Sequence, residues 1–200
     1  MKNDNKSATD PRILRTRQLI RDAFVDLLQE VDIEKLTVNR IAERATINRV
    51  TFYLHYRDIT DMMEKMADEM NEHIERIVDQ YHRFDNNETE EAWPVLVKVL
   101  EHFADHPKFY RVVLASKRTP IFTERLLKLL TRLVTEKIEK QEMESVFAQA
   151  GIHKEIAIWY SSSALIGTIV AWLRNDMPYA PHFLAKQFSL IRSYSYKGFM

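Results

Sequence analysis

Between residues 36 and 63 the chain reads LTVNRIAERATINRVTFYLHYRDITDMM, and Arg49, Thr51, Tyr53 and His55 fall within seven residues of one another. Guanidinium, hydroxyl, phenol and imidazole groups on one short helix can meet base edges and phosphate oxygens of duplex DNA. The apolar positions around them give the geometry. Val38, Ile41, Ala42 and Ala45 form the inner face of one short helix, with Thr37 as its N-cap. Thr46, Ile47 and Asn48 form a turn in which Ile47 is the buried plug and Asn48 caps the next helix. That helix, expected over 48–56, buries Phe52 and leaves the polar residues on its other faces. The pattern is helix–turn–helix, and such a second helix enters a major groove with its N-terminal residues at the bases.

A second constellation is His102-Phe-Ala-Asp105-His106. Two histidines four apart on a helix suit zinc, and the string approximates H-x-x-E-H. Asp replaces Glu, however, and Pro107 stops the helix at once. No peptidase and no metal site are expected. Paired Glu-x-x-His motifs of a di-iron bundle are not found either.

Composition excludes much else. The chain has 200 residues, no cysteine and three glycines, all beyond residue 150. Phosphate-cradling glycine loops, G-x-G-x-x-G turns, disulfides and Cys-based metal sites are therefore ruled out. No enzyme activity and no cofactor are expected. The formal net charge is zero, but residues 11–57 hold nine Lys/Arg against six Asp/Glu, while residues 61–100 hold four against eleven. A mildly basic piece followed by an acidic one divides labour, with DNA kept on the first. No signal peptide or bilayer-spanning run is read, so a cytoplasmic protein with no membrane partner is expected.

Helical periodicity dominates everywhere, giving an all-α chain of about nine helices. Residues 1–10 read as a disordered tail and 11–60 as the helix-turn-helix domain. Residues 61–200 read as a helical-bundle regulatory and dimerisation domain, with 61–82 as the connector helix. Further helices are expected over 93–105, 109–115, 121–140, 143–150, 153–175 and 183–194. Gly151 is expected to cap the short one before it.

The 36–63 block resembles the TetR family of bacterial transcriptional regulators. The family pattern T-x-x-x-I-A-x-x-A-x-V-S-x-x-T-F-Y-x-H-F is met by Thr37, Ile41, Ala42, Ala45, Thr51, Phe52, Tyr53 and His55, with Ile47, Asn48 and Tyr56 as mild replacements. The resemblance implies that Arg49, Val50 and Thr51 face bases, that Thr37, Tyr53 and His55 touch phosphates, and that Asn48 belongs to the same DNA-binding surface. Arg15 and Arg17 are expected to reach the flanking backbone. Three departures stand out. Thr46 occupies a turn position that is usually glycine, which predicts backbone strain. Val50 replaces a smaller residue and could meet a thymine methyl. Ile59 replaces a phosphate-binding lysine, for which Arg57 is the substitute.

The resemblance also implies a homodimer on a palindromic double-stranded operator, more often a repressor, controlled by a small apolar or amphipathic effector. The stripe Ala157, Ser161, Ala164, Gly167, Thr168 and Ala171, with Phe188 on the last helix, is the expected dimer interface. Trp93, Phe103, Phe109, Tyr110, Phe122 and Trp159 are the candidate pocket residues. Residues 160–187 resemble, more loosely, a TetR subgroup that includes the activator of dihydroxyacetone kinase genes. That makes a protein co-regulator an alternative partner. The remaining alternative is a helical protein-interaction module.

Overall fold

The computed structural model describes residues 10–84, 94–116, 118–140 and 147–197, all helix and connecting turns. Helix α1 spans Pro11–Glu30, and Pro11 at its start is preceded by Asp10, whose carboxylate accepts from the Arg12 amide at 2.8 Å. A single 3-10 turn, Ile33–Lys35, leads to α2, Val38–Arg44, and then to α3, Arg49–Tyr53. Helix α3 is shorter than the expected 48–56, because Leu54 and His55 close it in tighter turns. These three helices, the head, bury Phe24, Ile41 and Phe52 completely.

The connector α4 runs Ile59–Phe84, slightly longer than read from the sequence at both ends. Asp58 caps it: its carboxylate accepts from the Asp61 amide at 2.8 Å, while Asp61 accepts from the Arg57 amide at 2.9 Å. These amide donors hold both carboxyls below the usual carboxylate range. The body continues with α5 (Pro94–Asp105), α6 (Pro107–Leu114), α7 (Pro120–Lys140), α8 (Lys154–Arg174) and α9 (Pro181–Lys197). The helix expected over 143–150 lies partly outside the described residues. Its last turn ends at Gly151, whose φ of 68° fits the expected cap.

Packing follows the apolar stripes. Helix α4 packs on α5 and α7, α8 on α6 and α7, and α9 on α5. Ile74, Leu100, Phe103, Val113, Phe122, Leu126, Ile169 and Leu173 are fully buried between them. Helix α8 is apolar enough by length and composition to cross a bilayer, with a mean hydropathy of 1.6 over its best window. Its Ile158, Leu165, Ile169 and Trp172 are instead buried against the body. Head and body meet where α1 packs on α6.

Candidate nucleic-acid interface and its control elements

The recognition turn is a Schellman stop: the Ile47 amide donates to the Ala42 carbonyl at 3.0 Å and the Thr46 amide to Glu43 at 3.1 Å. This geometry needs a left-handed residue at Thr46, and its φ is 56°. The expected strain is present, because a β-branched side chain sits where glycine would carry no Cβ penalty. Ile47 then packs partly into the core. Asn48 accepts from the Val50 amide at 2.8 Å and starts α3, and Thr37 caps α2 by accepting from the Arg40 amide at 3.3 Å.

On α3 the outward surface is more apolar than its sequence suggested. Val50 is 66% exposed and Leu54 is 78% exposed, beside Tyr53 at 45%. Arg49 lies over the Tyr53 ring, 5.4 Å from its centre, and donates to its hydroxyl at 3.0 Å. The two therefore present one guanidinium–phenol unit. Thr51 and His55 are half-buried at the edge of that surface, and Thr37 is exposed. Burial, helped by the Arg17 and Lys65 charges, lowers the His55 pKa, so the ring is mainly neutral near pH 7. Leu54 belongs to the outward set and was missed by the sequence reading. An exposed leucine on a recognition helix carries no polar signal.

Two phosphate candidates, Arg57 and Arg17, have carboxylate partners within the chain. Ile59 is partly buried against the core, which accounts for the absence of a charged residue there. Arg57 is exposed beside Asp58 at 3.4 Å, and Lys65, one turn into α4, donates to the His55 carbonyl at 3.2 Å. Arg17 has a partner within the chain. Its guanidinium is 3.5 Å from Glu69 on the connector. Arg15 remains exposed.

The joint between head and body is stapled by ion pairs. Arg21 on α1 is 2.5 Å from Glu69, Asp26 meets Lys108 on α6, and Arg118 reaches Asp32 at 3.2 Å and the Leu28 carbonyl at 3.1 Å. Beside these pairs lies an open cavity of about 640 Å³, walled by α1, α4, α5 and α6. Phe109 and Tyr110 line it. Phe103 and Phe122 are instead fully buried core, Trp159 is 63% exposed on α8, and Trp93 lies outside the described residues. Aromatic type alone did not separate lining from filling.

His102 faces the cavity, with Nε2 2.7 Å from the Tyr110 hydroxyl. Burial, with His106 and His73 nearby, pushes His102 down to about 4, and burial raises Tyr110 above the ordinary phenol range. Both are uncharged near neutrality. His106 is not on the helix of His102 but begins the next one. Among the described residues no three His, Cys, Asp or Glu side chains are placed to hold a metal ion.

On α8 the small-residue stripe is largely open: Ala164, Gly167 and Ala171 are exposed, and Ala157, Ser161 and Thr168 half-buried. Large apolar neighbours share that exposure, including Ile156 at 55% and Tyr160 at 69%. On α9, Leu190 and Ile191 are exposed, and Phe188 packs partly into the chain's own core.

Two family patterns match the chain. One, described as bacterial regulatory proteins of the tetR family, covers residues 20–66. The other, a transcriptional regulator C-terminal region of the same family, covers residues 90–193. The chain belongs to the TetR family. This TetR-family regulator is 25% identical over 194 residues to YxbF of Bacillus subtilis (strain 168), an uncharacterised HTH-type transcriptional regulator. That match covers 92% of this chain but only 46% of the relative, so the chain spans about half the relative's length. Among solved structures, the fatty acid degradation regulator FadR from Bacillus halodurans superposes with a TM-score of 0.66 at 20% identity, covering 92% of this chain and 95% of the other. FadR from Bacillus subtilis in complex with stearoyl-CoA gives 0.57 at 19%, covering 87% and 96%. The dihydroxyacetone kinase operon activator DhaS gives 0.56 at 18%, covering 91% and 96%. These likenesses establish the fold.

Proposed function

We propose that this TetR-family regulator is a cytoplasmic, non-enzymatic repressor that binds a palindromic operator as a homodimer and is released or retained by a small amphipathic effector. The carrying observation is a pair of exposed surfaces on one chain. The Arg49–Tyr53 unit with Val50 and Leu54 forms a groove-sized face. The open α8–α9 face, with Ile156, Tyr160, Gly167 and Ile191, offers apolar area to a second copy.

Two copies make the reading stronger. One five-residue helix covers little DNA. Two heads held at fixed spacing meet half-sites roughly 34 Å apart or a multiple of that. In this reading Arg49, Val50, Thr51 and Leu54 face bases. Thr37, Tyr53, His55, Arg57 and Lys65 lie toward phosphates, with Asn48 fixing the helix start. The B. subtilis FadR structure holds stearoyl-CoA, which supports an amphipathic effector class for a chain of this fold.

A protein co-regulator is a second reading. It is favoured by the exposed Tyr179 and Phe183 rings, 5.4 Å apart beside the α8–α9 face. Sedimentation of the purified chain separates the two: a dimer fits the first, and a monomer leaves that face for another protein. The regulator reading itself is tested by mobility shift on the DNA upstream of its own coding sequence.

A further inference from the structure

The cavity at the head–body joint has a composition the DNA-reading surface does not explain. Its floor is apolar and buried: Val25, Met66, Met70 and Tyr110 are each less than 5% exposed. Its walls carry four carboxylates, Asp22, Asp26, Glu69 and Asp105, against two cations, Arg21 and Lys108. Both cations are already occupied: Arg21 pairs with Glu69, which Arg17 also approaches at 3.5 Å, and Lys108 pairs with Asp26. Asp22 and Asp105 are exposed at the mouth and have no such cationic neighbour among the described ion pairs. His102, neutral at pH 7, adds a hydrogen-bonding edge without adding positive charge. The Phe109 ring already draws a guanidinium, with Arg21 5.9 Å from its centre.

The volume suits a small drug-sized molecule. An apolar floor beneath a net acidic mouth favours a ligand with an aromatic body and a positive end. The position also matters. An effector shifts an equilibrium only through different affinity for its two states. A molecule wedged between α1 of the head and α4 and α6 of the body touches both, so its contacts depend on how the head sits against the body.

We propose that this joint cavity is the effector site and that it takes a small aromatic cation. The inference rests on the effector-controlled reading above and specifies where and what the effector is.

Calorimetry on the full chain at pH 7.5 with tryptamine and with indole-3-acetate tests it, since the two share a ring and differ in charge. Tryptamine should bind at millimolar concentration or below, roughly tenfold or more tighter than indole-3-acetate. The double variant Asp22→Asn/Asp105→Asn, changed only at exposed positions, should melt like the parent. It should lose roughly threefold to tenfold in tryptamine affinity. Tryptamine should also change operator affinity in the parent, and less so in the variant at the same concentration. Equal binding of the two indoles, no tryptamine binding at about 5 mM, or unchanged affinity in the variant would overturn the site. Binding without any change in operator affinity would overturn its role as the effector site. If the chain shifts no DNA at all, the regulator reading fails, while calorimetry still decides the cavity.

Discussion

The head and the body of this regulator are built under different constraints. The head uses helices of seven and five residues, a left-handed threonine and an exposed apolar edge to hold one surface in one shape. The body uses long helices whose main requirement is to fill a common interior. In the head, side-chain identity is tied to backbone geometry; in the body, many apolar combinations fill the same volume. The difference teaches where a substitution should change function and where it should change only stability.

The largest expected effect sharpens that division. Phe52 and Phe122 are both fully buried, one in the head and one in the body. Truncating either to alanine should cost about 3–5 kcal/mol. In Phe52→Ala, hydrogen exchange should rise first in α2 and α3 and operator binding should vanish. In Phe122→Ala, the rise should fall in α5–α8, with operator binding retained below the melting point. Uniform exchange in both variants would erase the distinction.

Next comes recognition. Arg49→Ala should reduce discrimination between operator and random duplex by roughly 1–3 kcal/mol per subunit. Equal loss on every sequence would assign Arg49 to phosphate alone. The body has its own titration. An imidazole in the unfolded chain takes its proton near 6.5, and His102 in the fold only near 4. Between those values the unfolded state holds the extra proton, so the stability this imidazole contributes falls as pH drops from about 6.5 to 4. The loss should be roughly 1–3 kcal/mol. Denaturant titration should show it reduced in His102→Gln. A pH-independent parent would refute the buried neutral imidazole.

The smallest effect lies in the recognition turn. Thr46→Gly should stabilise the head by about 1 kcal/mol, because the left-handed conformation no longer opposes a Cβ. A destabilised variant would mean the threonine side chain makes compensating contacts.

Legibility in the sequence followed the same division. The turn, the Asn48 cap, the buried Phe52 and the strain at Thr46 were all readable, because each position has one physical job. Ile59 was readable as a departure but not as a packing residue, and Leu54 gave no signal at all. In the body the helices were legible from periodicity, whereas the cavity was not. Phe103 and Phe109 look alike in a string, and only the fold makes one a core residue and the other a wall. The Arg17–Glu69 pair was invisible for the same reason, since the two residues lie 52 positions apart in the chain.

The proposed function requires two copies of α3, held by the α8–α9 face, to read one operator. The most direct measurement is a mobility shift of the full chain on DNA upstream of its own coding sequence, against random duplex at moderate salt. A complex of two chains per duplex is expected, one that random DNA fails to compete away and that Arg49→Ala weakens selectively. Equal affinity for random duplex, or binding by a single chain, would contradict it.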